Sequence, residues 1–348
     1  MGYKFLSVER NTRSGNNAET CALLHLMCYA DERDEIEQFA IDCFNDVTGM
    51  DGSCFSLYDV QSKADKKVTP AELGKDLATL FENSVSDFSQ YFVAFTLFIG
   101  GVSPTVLDNP NLEAFTFLDM RVKAQETVRK QLVEACRKRH GGVFKDKVTD
   151  ENVDDFLCNK VRFVVAKSDP TDYIRALACD TSELFPSERK LKQIFGEIRN
   201  AQSNLKNMPS IADEVINRPD EVLDFGRALQ AKDIRLLVIQ RLLNRDFFED
   251  EVPPEFQDYL ESLPPEKLER DVIEESQAGL FRQYLDKNNR KAFWNLFGEI
   301  VTLLDDDRTL GIESIYEQID IDTLRACAYM NKYSHLFFIS IVKDGLRK

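Results

Sequence analysis

No stretch of this 348-residue chain is apolar for long enough to cross a bilayer. The longest run, Tyr91 to Val102, falls well short of the roughly 20 residues that a spanning helix needs. The N-terminus Met-Gly-Tyr-Lys-Phe-Leu lacks the apolar core of a secretory signal, and Leu6 stands where a myristoylation signal takes Ser or Thr. A cytoplasmic protein with no membrane partner is the expectation. Phosphate-cradling loops are missing too: Gly100-Gly101 and Gly141-Gly142 lack the Gly-Lys-Ser or Gly-Lys-Thr of an ATPase loop. Only three histidines are present, at 25, 140 and 335, and none sits in a nucleophile elbow or a protease signature. Eight cysteines are scattered, several within apolar runs, which suits reduced buried thiols rather than a disulfide framework. Cys21, His25 and Cys28 share one helical face, but no second pair follows to complete a zinc site, so they read as core residues. There is no internal repeat and no low-complexity tract.

Net positive charge is also lacking. The formal charge of -16 argues against a simple DNA-coating protein, because sequence-independent affinity comes from cations neutralising phosphates. The distribution is uneven. Residues 121 to 147 carry nine Lys or Arg against three acids, whereas residues 246 to 275 carry twelve acids against two bases. Each run has the composition of a solvated helix face. The first also has the makings of a backbone-binding patch, and the second of a surface that faces a partner or repels DNA.

The length suits two domains, and 43% hydrophobic residues supply an ordinary core. Cys21, Leu24, His25 and Cys28 recur at helical spacing after Asn17, a candidate cap. Residues 36 to 49 alternate as a strand would. Met50-Asp51-Gly52-Ser53 supplies turn chemistry, and residues 54 to 63 resume the alternation. Thr69-Pro70-Ala71-Glu72 opens a capped helix with Leu73, Leu77, Leu80 and Phe81 on its buried face. Tyr91 to Ile99 reads as a strand covered on both faces. A strand at 113 to 118, a basic amphipathic helix from Arg121 to Arg139, a helix from Asp150 to Leu157 and a strand from Val161 to Ala166 follow. Beyond Asp180 the strand signals stop. Helices are expected from Pro186 to Leu205, from Glu221 to Phe247 around Ile234 to Leu243, and over 266 to 304 and 313 to 343. The fold class is therefore an α/β domain over 1–180, a mixed sheet flanked by helices, followed by an all-helical domain over 181–348.

A turn centred near residue 53 brings Asp46 level with Gln61, and puts Asp46, Gln61 and Lys63 on one side of the sheet. The run Phe44-Asn45-Asp46-Val47-Thr48-Gly49, followed by Tyr58-Asp59-Val60-Gln61-Ser62-Lys63-Ala64, resembles the active-site strands of the PD-(D/E)xK nuclease superfamily. More narrowly it is similar to the double-stranded DNA endonucleases that serve as effectors of bacterial CBASS and Lamassu anti-phage systems. The resemblance covers roughly residues 15 to 170. Its most specific part is about twenty residues long, and it implies a restriction-endonuclease-like first domain.

The chemistry fits those residue types. Phosphodiester hydrolysis takes a divalent cation that polarises the phosphate and acidifies a water, and hard Mg²⁺, or Mn²⁺ in its place, prefers oxygen ligands. Asp46 would supply a carboxylate, Gln61 its amide carbonyl and Ser62 its backbone carbonyl. Lys63 would orient the water and offset transition-state charge. The family likeness adds Glu19 on the first helix. Gln61 departs from the commoner pattern by replacing an acid, a deficit that Glu19 or Asp59 would offset. Asp51 reads as a turn former. The resemblance further implies double-stranded DNA as substrate, an SMC-type ATPase and accessory subunits as restraining partners, and a homo-oligomer when active, since two strands need two sites. The acidic second half would dock on those partners. The competing class is a non-catalytic interaction subunit with a degenerate nuclease fold.

Overall fold

The computed structural model describes residues 2–6, 13–109, 111–178, 187–245, 251–264 and 269–347. Their contacts define two units, one of residues 1–173 with 195–234 and one of 174–194 with 235–348. The sequence suggests a single break at 180, whereas the chain leaves the first unit at 173 and re-enters it at 195.

The first unit is built on a seven-stranded mixed sheet with β4 (Leu57–Lys63) at its centre. Across the sheet the order is β6 (Ala114–Thr116), β7 (Val161–Val165), β5 (Phe92–Ile99), β4, β3 (Val47–Met50), β2 (Gln38–Ile41) and β9 (Ala228–Gln230). β4, β5 and β7 run parallel; the β2–β3, β3–β4, β6–β7 and β2–β9 pairs are antiparallel. A separate two-stranded ladder joins β1 (Tyr3–Lys4) to β8 (Val215–Ile216). α1 (Arg13–Cys28) packs against β3, β4 and β5, on the face of Val60 and Ser62. α3 (Ala78–Ser84) covers the opposite face, with α2 (Pro70–Asp76) and α4 (Val122–Lys138) outside it.

Most expected elements of this unit lie within two or three residues of their predicted bounds. The Thr69 capping box is present, with Glu72 reaching back to the Thr69 N–H, and Leu73, Leu77, Leu80 and Phe81 are buried. Asp51 forms the turn as its sequence context predicts, accepting from the Ser56 N–H at 3.0 Å. Four expectations change. The alternating run 36–49 is not one strand but a hairpin, β2 and β3 joined by a turn at Asp42, which sits at φ +53°. Aspartate tolerates that left-handed conformation, and every second residue there is apolar for reasons other than pleat. α1 starts at Arg13, so Asn17 lies inside it rather than at its cap. β5 is open on one face at its start, where Val93 is 59% exposed. Finally, strands β8 and β9 lie beyond residue 180. At two and three residues they are too short to carry a periodic signal.

The second unit is helical among its described residues. α10 (Glu269–Leu285), α11 (Arg290–Asp306) and α14 (Lys332–Arg347) enclose an aromatic cluster in which Phe293 packs on Tyr284, Trp294 and Phe338. Pro186 and Cys179 lie outside the described residues, as do 246–250 and 265–268 of the acidic run. The seven described cysteines are free thiols, five of them buried. Among the described residues no helix is long and apolar enough to cross a membrane.

Candidate functional site

The register of β3 on β4 pairs Val47 with Val60, which sets Asp46 opposite Gln61 as the spacing predicts. Their side chains meet. The Gln61 Nε2 donates to Asp46 Oδ2 at 2.7 Å, and the same oxygen accepts from the Ser62 backbone N–H at 2.7 Å and from the Ser62 hydroxyl at 3.0 Å. All three residues are buried. A carboxylate at a strand end can turn toward both faces of the neighbouring strand, and so Asp46 reaches Gln61 and Ser62 although they alternate.

The turn carrying Asp46 is fastened from two directions. Asn45 accepts from the Asp46 N–H at 3.1 Å. Asp59 accepts from the Thr48 hydroxyl at 2.9 Å, from Asn83 Nδ2 at 2.7 Å and from Asn45 Nδ2 at 3.4 Å, tying the turn to β4 and α3. Burial pushes the Asp59 carboxyl up to about 6 against those donors. On the other side, buried Arg227 donates to the Asp42 carboxylate at 3.0 Å and to the Met208 and Pro209 carbonyls at 2.9 and 3.0 Å. Asp59 is thus a brace for the Asn45–Asp46 turn; it does not line the cleft described next.

A cleft of about 480 Å³ opens beside Asp46 and Gln61. Tyr3, Phe44, Asn45 and Asn83 form part of its wall, and Glu82, Lys4, Arg139 and Lys147 also line it. Arg139 and Lys147 belong to the basic run at 121–147. Lys63, expected beside the scissile phosphate, is half-buried at the end of β4 and is not among the residues that line the cleft.

Glu19 is held elsewhere. Its two carboxylate oxygens accept from Lys206 Nζ at 2.7 and 2.9 Å in a buried pair. Lys206 stands on α7 (Glu188–Lys206), whose later turns dock on α1, with Gln202 accepting from Thr20 at 2.8 Å. Burial works against the Lys206 charge, but Glu19, with Asp42 and Asp46 nearby, raises its pKa overall. No local pattern announces Lys206, Arg227, Asn83 or Glu82, because each acts through tertiary contacts 24 to 187 positions away in the chain. Asn45 alone lies in the run that carries the family likeness, next to Asp46.

For a metal, the donors near Asp46 are hard oxygens: its carboxylate, the Gln61 amide carbonyl and the Ser62 carbonyl and hydroxyl. That set suits Mg²⁺ or Mn²⁺ in kind. It is short of anionic ligands. Among the described residues no group of three or more His, Cys, Asp or Glu side chains could hold a metal ion. Gln61 presents its amide nitrogen to Asp46 in this arrangement, and half a turn of the amide would offer its oxygen instead. His25, expected as a core imidazole, is half-buried instead and lines a second cavity, and burial and then Lys167 lower its pKa to about 4. No family model, curated protein or solved structure matches this chain.

Proposed function

We propose that this chain is a metal-dependent endonuclease of double-stranded DNA, with a restriction-endonuclease-like first unit, serving as the effector of a bacterial anti-phage or anti-plasmid system. The observation that carries this reading is the meeting of Asp46 and Gln61 at 2.7 Å across adjacent strands, at the edge of a cleft that also contains Arg139 and Lys147. Asp46, Gln61 and Ser62 would hold the cation. When bound, Mg²⁺ would polarise a phosphate oxygen and supply hydroxide near neutral pH. The protein's own part is positioning. The Asp59, Asn45 and Asn83 bonds fix the Asp46 turn, so little reorganisation is left for the moment of reaction. Lys63, two residues beyond Gln61, is assigned to the attacking water, and the basic wall of the cleft to the DNA backbone.

Supercoiled plasmid with Mg²⁺ is the test. The full chain, activated by its assembly partners if they restrain it, should linearise the plasmid, whereas Asp46→Ala and Lys63→Ala should lose at least about a hundredfold in rate. Cutting by Lys63→Ala at the parent's rate would overturn the mechanism, and no cutting by any activated form would overturn the function. Cleavage of both strands calls for two sites, so light scattering should show an oligomer under cutting conditions. By the same family likeness, the second unit is assigned to docking on an SMC-type ATPase and its accessory subunits, which co-purification would test.

One observation favours a second reading, a non-catalytic interaction subunit. Lys206 neutralises Glu19, the acid that would make good the deficit at Gln61. In that case Asp46→Ala would leave partner binding and every measured DNA reaction unchanged.

A further inference from the structure

The N-terminal strand β1 forms part of the cleft wall, where Gly2 to Leu6 stand beside Asp46 and Gln61. It is fastened from far along the chain. Tyr3 and Lys4 pair with Ile216 and Val215, the Phe5 N–H donates to the Glu214 carbonyl at 3.1 Å, and Lys4 Nζ lies 2.8 Å from Asp213. The half-buried Tyr3 ring packs on Phe5, Phe44 and Phe88 at centroid distances of 5.2, 5.1 and 5.3 Å. Its hydroxyl donates to Asn83 Oδ1 at 2.7 Å.

That bond agrees with the only orientation open to the Asn83 amide. Asn83, 3% exposed, donates through Nδ2 to the Phe44 carbonyl at 3.2 Å and to Asp59 Oδ2 at 2.7 Å. A backbone carbonyl only accepts, so the amide nitrogen must face it and the amide oxygen must face Tyr3. Turned over, the amide would set its oxygen against a carbonyl and a carboxylate. Beyond Asp59 the bonds continue through Asn45, which donates to Asp59 at 3.4 Å and accepts from the Asp46 N–H at 3.1 Å. Hydrogen bonds thus run unbroken from the Tyr3 hydroxyl to the backbone of Asp46.

We propose that Tyr3 is a positioning residue for Asp46: its hydroxyl locks the Asn83 amide, and Asn83 holds the Phe44–Asp46 turn from which the cation ligand projects. This rests on the metal-dependent nuclease assignment and adds the N-terminal strand to that active site. Bonds in a buried chain of this kind polarise one another, so loss of the first loosens the last. Tyr3 acts through Asn83 and not on the substrate. Its contribution is therefore read in cation affinity and kcat, and leaves KM for DNA as it is.

The test follows Mn²⁺ binding to the full chain without DNA, by the paramagnetic resonance signal of the free ion, and plasmid cleavage by the activated protein for kcat and KM. Tyr3→Phe keeps the ring contacts and removes only the hydroxyl. It should bind Mn²⁺ about three- to tenfold more weakly, the worth of one hydrogen bond, and lower kcat by a similar factor at the parent's KM. Asn83→Leu removes all three amide bonds and should lose at least about tenfold. Adding Tyr3→Phe to it should change nothing further, because the hydroxyl has lost the group it acts through. If Asn83→Leu fails to fold, Tyr3→Phe decides alone. If the parent cuts plasmid while Tyr3→Phe keeps its Mn²⁺ affinity and kcat, the inference is overturned and the nuclease assignment stands. A raised KM at unchanged Mn²⁺ affinity makes Tyr3 a substrate contact, and a further loss on the Asn83→Leu background means another route; either result overturns it. Mn²⁺ binding that Asp46→Ala leaves unchanged overturns it as well, since the cation is then not held at Asp46. If no activated form of the parent cuts, the nuclease assignment is overturned and takes the inference with it.

Discussion

Replacing Lys206 by methionine separates a structural role for Glu19 from a catalytic one. The parent pair is almost dry, with side-chain exposures of 3% and 8%, and both carboxylate oxygens accept from the ammonium. Methionine fills much the same volume but leaves the carboxylate buried beside Asp42 and Asp46, the other charges felt at Lys206. Breaking one side of a buried ion pair typically costs about 3–5 kcal/mol, because the remaining charge has neither water nor counter-ion. The remaining carboxyl can escape by taking up a proton, so the loss should grow with pH at up to about 1.4 kcal/mol per unit and shrink in acid. Glu19→Met with Lys206→Met removes both charges and should return most of the loss. Amide exchange at β3 and β4 reads the unit that holds the pair. Fluorescence of Trp294, the only tryptophan and a member of the other unit, is the control for a local effect. Mg²⁺ adds the functional half of the experiment. If Glu19 joins Asp46 as a metal ligand once Lys206 is gone, the cation should stabilise Lys206→Met far more than the parent, by RT ln(1 + [L]/Kd). A loss of under about 1 kcal/mol that does not change with pH would refute the argument.

Asp59→Asn should stabilise the protein above pH 7. The Asp59 carboxyl is pushed up to about 6, above its unfolded value, so the stability carried by its neutral form is present in acid and is lost as pH rises through 6. An asparagine keeps an acceptor for Asn83 and Asn45, and the Thr48 hydroxyl can turn to accept from its amide. The gain at pH 8 is at most about 3 kcal/mol in urea melts and should vanish near pH 4; equal effects at both would count against it. Gly74→Ala should cost about 1–3 kcal/mol, because the new Cβ would stand 2.4 Å from the Val128 carbonyl oxygen where α2 meets α4. An unchanged melting temperature would mean the helices separate freely there.

The elements that carry strong local chemistry were legible in the sequence. The Thr69 box, the apolar run of β5 and the Asp51 turn each rest on contacts between near neighbours, which a linear reading can see. The Asp46–Gln61 pairing was legible for a different reason. Antiparallel register depends only on where the turn falls, and an error of one residue would have faced Asp46 away. The extra turn at Asp42 went unseen because alternation of apolar residues continues through it. Arg227 supplies the missing explanation from 185 positions downstream, holding that turn in place. Site residues divide the same way. Asp46, Gln61 and Ser62 converge through local pairing, whereas the expected place of Glu19 is taken up by a lysine that no motif announces.

The last strand of the sheet, β9, pairs with β2 across about 190 residues of chain. Contacts this distant in sequence form late, after a large loop has been closed. During synthesis the Asp46 hairpin leaves the ribosome long before Lys206, Arg227 and β9 exist. A nascent chain stopped at Ala166 would carry the cleft strands with β2 still an open edge and without the Lys206 and Arg227 that later bond Glu19 and Asp42. For a protein whose proposed activity would injure the cell that makes it, assembly of the site would wait until about two-thirds of the polypeptide had been translated.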